Sequence, residues 1–339
     1  MDPTLLVQDS PIVVVLPTTL RPDFIQAVGD VDPRVEVVLV SNDEPIPERV
    51  ADAAVFFRSY ALRREIVDGV VERARALQWM HVPAAGVEAA LTPQVMDTDF
   101  AITNVAGVYD VPVAELSLAV MLAAAKCLPN YFAAQREARW LRAASWDEVK
   151  KERTLPQLMR GSTVAILGFG GTGGTLAEML RPLGVRILAV RRDPRPDPRA
   201  DAVYGPDQLH EVLREADWVV LSLPLTKETE RIIGEPEIAQ MKPNAWLVNV
   251  GRGRLVDDDA LIAALESGRI GGACLDVFTR EPLPEDHPYY RLPNVIVTPH
   301  IAGAFPELNE VDREYFVDEL RRFIAGEPLK ATIERSKGY

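Results

Sequence analysis

The run Thr163-Val164-Ala165-Ile166-Leu167-Gly168-Phe169-Gly170-Gly171-Thr172-Gly173 decides the fold of this chain. Five apolar or β-branched residues read as a buried strand, and glycines 168, 170 and 173 follow it at G-x-G-x-x-G spacing. Leu176, Ala177, Met179 and Leu180 then recur at helical spacing up to a stop at Gly184. A second strand-like run at 186–190 completes a βαβ unit. Each glycine has a mechanical task. Gly168 permits a tight turn, Gly170 lets backbone approach an anion, and Gly173 lets helix and strand pack closely. The amides of Gly171 and Thr172, at the start of the helix, then face a pyrophosphate. A glycine loop in this strand–loop–helix setting points to a bound dinucleotide.

Working outward, the same rhythm continues. Downstream runs at 218–221, 246–250, 272–278 and 295–298 bring the candidate strands of this block to six, enough for a doubly wound parallel sheet. Upstream, runs at 12–16, 35–39, 54–57 and 79–82 alternate with longer amphipathic stretches, a second block of α/β character. The stretch 110–127 reads as one long linking helix, and 306–330 as a helix that returns to the first block. The expectation is therefore α/β with two doubly wound parallel-sheet domains. A discontinuous domain would comprise 1–103 and 304–339, and a dinucleotide domain 104–303. Residues 193–199 read as a proline-rich surface loop.

A length of 339 residues suits about two domains. The net charge of -13 opposes non-specific attraction to nucleic acid or an anionic membrane, so neither is expected as a partner. It also means that a site for an acid or a phosphate must supply its own local arginines. The start carries Asp2 and Asp9 and no basic cluster, unlike a signal peptide. The richest apolar stretch, 111–127, is interrupted by Glu115, Ser117 and Lys126, so no membrane span is expected. Cys127 and Cys274 show neither disulfide nor metal-ligand spacing. Both read as buried thiols, no metal is expected, and the cytoplasm is the expected compartment.

Two positions carry the cofactor question further. Where an acid would receive the adenosine ribose hydroxyl, at the end of the second strand of the unit, this chain has Arg191 followed by Arg192. Two guanidiniums suit the 2'-phosphate of NADP, so NADP is the expected cofactor and NAD the alternative. Of the four histidines, His210 and His287 sit among charges or prolines, and His81 lies in an apolar run. His300 stands just past the last strand, where open α/β sheets place their ligands.

Several motifs in one order carry a family resemblance: Leu221-Ser222-Leu223-Pro224-Leu225-Thr226, Met241-Lys242-Pro243, Asn249-Val250-Gly251-Arg252-Gly253, Ala273-Cys274-Leu275-Asp276-Val277-Phe278, Glu281-Pro282-Leu283-Pro284 and Thr298-Pro299-His300-Ile301-Ala302-Gly303. This segment resembles the D-isomer-specific 2-hydroxyacid dehydrogenases. The resemblance implies a flavodoxin-like substrate domain and a Rossmann cofactor domain with a cleft between them, and Arg252, Glu281 and His300 as the catalytic residues. It implies cofactor contacts from Pro224, Thr226, Val250, Asp276 and Gly303, with Asp276 on the nicotinamide amide. It also implies a substrate-carboxylate loop at Ala85, Gly86 and Val87, a weaker echo of a cleft segment at Arg58-Ser59, and a homodimer.

The chemistry asks for these residue types. Hydride arriving at a ketone carbon leaves charge on oxygen, which a protonated imidazole relieves as general acid. A carboxylate on the other ring nitrogen fixes the tautomer, and a planar guanidinium grips the substrate carboxylate in a way lysine does not. The expected activity is NAD(P)H-dependent reduction of a small 2-keto acid to the D-2-hydroxy acid, with substrates from glyoxylate and hydroxypyruvate to bulkier acids. The alternatives are an NAD(P)H-sensing binding protein of the same fold and a phosphite-type oxidoreductase. Formate enzymes of the family carry glutamine where this chain has Glu281. The segment 136–147, which includes Trp140 and Trp146, falls where family members carry a substrate-shaping arm, and its sequence assigns no side-chain specificity.

Overall fold

The computed structural model describes residues 10–142 and 156–335. Asp2, Asp9, Trp146 and Asp147 lie outside the described residues. The chain divides into two compact units, Met1–Val108 with Phe305–Tyr339, and Tyr109–Ala304.

The first unit is built on strands β1 (Ile12–Pro17), β2 (Val35–Val40), β3 (Ala53–Phe57), β4 (Trp79–His81) and β5 (Ala101–Thr103). They pair in the order β2-β1-β3-β4-β5, all parallel. Every residue of β1 and β3 is buried, as it must be where helices cover both faces of a parallel sheet. One face packs Val13, Val15 and Phe56 on Val67 and Val70 of helix Arg64–Arg73. The other packs Ile12, Val14, Leu16 and Trp79 on Phe316, Leu320 and Phe323 of helix Leu308–Ala325. That helix is shorter than the expected 306–330 because Gly326, at φ 70°, ends it in the left-handed conformation. β5 was not among the expected strands.

The second unit carries seven strands where six were expected: β6 (Thr163–Leu167), β7 (Arg186–Val190), β8 (Ala202–Tyr204), β9 (Trp218–Leu221), β10 (Trp246–Asn249), β11 (Gly272–Leu275) and β12 (Val295–Val297). Their order is β12-β11-β10-β9-β6-β7-β8, all parallel. The additional strand, β8, is a half-buried edge directly after the proline-rich loop. The Asp201 carboxylate and backbone both bond to Ile187 just before it. β10, β11 and β12 end earlier than their apolar runs, so Val250, Asp276 and Thr298 belong to loops at the carboxyl ends.

The stretch expected as one helix to residue 127 is two. Helix Asp110–Ala125 stops, Cys127 turns at φ 56°, and a second helix runs Leu128–Arg136. The first packs Ala114, Met121 and Ala124 with Leu176, Ala177 and Leu180 of helix Gly171–Leu180. Burying Met121 contributes about 2 kcal/mol. Cys127 is half-buried rather than buried, whereas Cys274 is buried and burial pushes its thiol pKa up. Among the described residues no single helix is long and apolar enough to cross a membrane.

Candidate active site

The strand order of the second sheet reverses at β6, which has β7 on one side and β9 on the other. Ligands of open α/β sheets bind at the carboxyl ends on either side of such a point. The glycine loop lies there. Gly168 has φ 94°, and a Cβ on it would come within 2.6 Å of the Leu223 amide nitrogen. A Cβ on Gly173 would lie 2.3 Å from the Gly168 carbonyl oxygen, so only glycine lets helix and loop approach. The Ser222 hydroxyl donates to that same carbonyl at 2.8 Å.

Around Gly170, by contrast, a Cβ would meet nothing within 4 Å. Gly170 caps helix Gly171–Leu180, whose first-turn amides have no intrahelical acceptor. Open space beside a row of such amides fits a pyrophosphate. The Thr172 hydroxyl donates to Asp110 at 2.8 Å.

At the end of β7, the Arg191 amide bonds to Tyr204, and its guanidinium lies 4.0 Å from the Asp197 carboxylate. Asp197 is held mainly by Arg199, which bonds to both of its oxygens at 2.9 and 2.8 Å and helps to lower its pKa to about 2. Arg199 also covers the Phe169 ring at 5.4 Å. The charge near Arg191 is thus a network of arginines around one carboxylate, a refinement the local sequence did not show. In the loop after β9, Thr226 donates to Glu228 at 2.7 Å and the Pro224 carbonyl accepts from Thr229 at 2.7 Å. The Glu228 carboxyl is held below its usual pKa, chiefly by the Thr226 hydroxyl, with Arg192 a smaller contributor.

The loops after β10, β11 and β12 converge. Asn249, 1% exposed, accepts from the Gly251 amide and donates to the Arg252 carbonyl at 2.9 Å, fixing the turn that presents Arg252. The Arg252 guanidinium bonds to the Gly251 carbonyl at 2.7 Å. A Cβ on Gly253 would meet the Phe278 carbonyl carbon at 1.9 Å, so glycine brings this turn onto the neighbouring loop. In that loop the Phe278 amide donates to Glu281 Oε1 at 2.9 Å. The second oxygen of Glu281 lies 2.6 Å from His300 Nδ1. A carboxylate only accepts, so Nδ1 carries the proton and Nε2 points away from the pair.

His300 itself sits at φ 52°, in the left-handed region that a side-chain-bearing residue enters at a cost of about 1 kcal/mol. Asp276 supports that backbone. Its carbonyl accepts the His300 amide at 2.8 Å, and its buried carboxylate accepts from Thr298 Oγ1 at 2.6 Å and from the Ile301 and Ala302 amides, each at 3.0 Å. Among the described residues Oδ2 takes only the Ala302 amide, leaving acceptor capacity for one further donor. Close by in the chain, Gly303 faces the Tyr109 ring: a Cβ there would be 2.7 Å from Tyr109 Cδ1. The Val250 amide bonds to the Leu221 carbonyl at 3.2 Å.

The remaining expected residues lie in the first unit. The Ala85 carbonyl accepts from Asn104 at 2.9 Å, the Gly86 carbonyl accepts from the Tyr60 hydroxyl, and Val87 is buried. Arg58 is also buried, donating to the Ala89 carbonyl and stacking over Tyr60 at 4.3 Å. His81 is fully buried: Nδ1 lies 2.9 Å from Thr103 Oγ1, and burial alone lowers its pKa to about 3. His210 pairs with Glu237 at 2.9 Å, and His287 caps a short turn by accepting the Tyr289 amide.

Residues 118–302 match the family model described as D-isomer specific 2-hydroxyacid dehydrogenase, NAD binding domain. A glyoxylate reductase of Thermococcus litoralis is 36% identical over 227 residues, 67% of each chain. Among solved structures, a D-isomer specific 2-hydroxyacid dehydrogenase from Xanthobacter autotrophicus, in complex with NADPH and MES, superposes with a TM-score of 0.81 at 27% identity. It covers 97% of this chain and 100% of its own. An NADPH-dependent glyoxylate/hydroxypyruvate reductase from Sinorhizobium meliloti, in complex with NADP and sulfate, has a TM-score of 0.78 at 25% identity, covering 97% and 100%. The chain belongs to the D-isomer-specific 2-hydroxyacid dehydrogenase family and is an NAD(P)-dependent oxidoreductase.

Proposed function

We propose that the protein reduces a small 2-keto acid to the D-2-hydroxy acid, uses NADPH in preference to NADH, and takes the proton from His300. The observation that carries this reading is the Glu281–His300 pair at 2.6 Å on a backbone held left-handed by Asp276. Bound reduced nicotinamide supplies the hydride. Gly168, Gly170, Gly171, Thr172 and Gly173 hold the pyrophosphate, with Pro224, Thr226, Val250 and Gly303 along the cofactor path. The remaining acceptor capacity of Asp276 Oδ2 takes the carboxamide.

The rest is proton and charge handling by the chain. Glu281, fixed by the Phe278 amide, keeps the proton on Nδ1 and offsets the charge of the imidazolium. Nε2–H of His300 donates to the carbonyl oxygen as negative charge grows there, a step typically worth about 10²–10⁴ in rate. Arg252 binds the substrate carboxylate and polarises the adjacent carbonyl through its planar fork. For the loop of Ala85, Gly86 and Val87 we assign carboxylate recognition by backbone amides.

The named activities of the Thermococcus and Sinorhizobium proteins support the small end of the substrate range. The NADPH preference rests on Arg191 and Arg192, and on the cofactors bound by the two solved relatives. A homodimer is supported by the apolar helices Asp110–Ala125 and Leu128–Arg136, which expose Val111 and Phe132. The test is loss of nicotinamide absorbance with NADPH or NADH over a panel from glyoxylate and hydroxypyruvate to phenylpyruvate. Faster turnover with NADPH on a small acid is expected. Tight cofactor binding with no turnover of any acid would overturn the reductase reading in favour of a sensor.

A further inference from the structure

The phosphate loop carries an acid that its glycine pattern does not account for. Asp110 begins helix Asp110–Ala125, and its carboxylate reaches the start of helix Gly171–Leu180. Oδ1 accepts the Thr172 hydroxyl at 2.8 Å. A Cβ on Gly171 would lie 2.0 Å from Oδ2, so the carboxylate fills the volume a side chain at 171 would take. One anion therefore stands where the N-termini of two helices come together, each with a partial positive charge of roughly half an electron.

These are the amides to which the loop would bring a pyrophosphate. A dinucleotide adds further negative charge beside a carboxylate already in place, and like charges oppose each other. The repulsion acts on the pyrophosphate, which NADH and NADPH share, and not on the 2'-phosphate. We propose that Asp110 is an affinity-determining residue, a resident anion of the phosphate loop that weakens binding of both nicotinamide dinucleotides and hastens their release. This rests on the assignment of the glycine loop to the pyrophosphate.

Asp110→Asn separates charge from structure, because the amide oxygen still accepts the Thr172 hydroxyl. Binding of NADPH and of NADH is titrated by nicotinamide fluorescence with the full-length protein, and dissociation is followed by stopped flow. Asp110→Asn is expected to tighten both nucleotides about 5–30-fold at low ionic strength, to slow both dissociation rates, and to show a smaller gain at high salt. Asp110→Ala, which loses the Thr172 bond as well, is expected to gain less. Unchanged or weaker binding in Asp110→Asn would make the carboxylate a structural tether and overturn the proposal. So would a gain confined to NADPH, since that places the charge at the 2'-phosphate. If the wild-type protein binds neither nucleotide, the loop assignment itself fails and the proposal with it.

Discussion

His81 closes β4 in the five-stranded sheet and His300 follows β12 in the seven-stranded sheet, so each stands at the carboxyl end of a parallel strand. Their surroundings differ in every respect that matters for proton chemistry. His81 is fully buried among Phe57, Trp79 and Phe316, with Thr103 as its neutral partner. His300 has a half-exposed side chain, a carboxylate on Nδ1, and a backbone turned left-handed. A strand end is therefore a location and not a role. Burial with a neutral partner makes His81 a packing residue, whereas exposure with a carboxylate partner suits His300 to the proton transfer proposed for it.

The most severe test of this contrast is on turnover. His300→Ala is expected to lower kcat/KM by about 10²–10⁴ while leaving cofactor binding intact, as read in steady-state kinetics beside a fluorescence titration. Activity within a few-fold of wild type would remove the distinction.

Next is acid stability. His81 is held to about 3 when folded and is near 6.5 when unfolded. Its contribution is complete above pH 6.5 and is lost as pH falls toward 3, because the unfolded chain takes up the proton first. The loss should reach roughly 3 kcal/mol by pH 4. His81→Gln, neutral throughout, should flatten the fall in thermal midpoint between pH 6.5 and 4. An unchanged pH profile would deny that the buried ring drives it.

A smaller effect is expected at the cofactor. Replacing Arg191 and Arg192 by serine should lower the NADPH-over-NADH preference in kcat/KM about 10-fold, and an unchanged ratio would assign the preference elsewhere.

The smallest concerns Asp312, on helix Leu308–Ala325, whose buried Oδ1 has no partner among the described residues and whose pKa burial raises to about 7. An acid with a raised folded pKa favours the folded state when protonated. Stability is therefore lost as pH rises from about 4 to about 7. Asp312→Asn should raise stability by roughly 1 kcal/mol at pH 8, less than the full shift because the side chain is only partly buried, and have little effect at pH 4. Equal thermal shifts at both pH values would exclude the titration.

The two histidines also mark how far local pattern reaches. Motif order drew attention to Glu281 and His300, and the structure brings them to 2.6 Å, but nothing local indicated the positive φ of His300 or the three donors converging on the Asp276 carboxylate. Strands β5 and β8 were not among the expected ones. The Asp110–Thr172 bond spans 62 residues of chain, a separation at which spacing says nothing.

By itself the sequence determined the βαβ unit around Gly168, the parallel α/β class and the family. These rest on periodicity and on glycines whose backbone needs are local. Tertiary structure alone decided which acid lies over the phosphate loop and which carboxylate lies beside Arg191. Each of those depends on side chains brought together from distant strand ends, and on the burial that sets their charge.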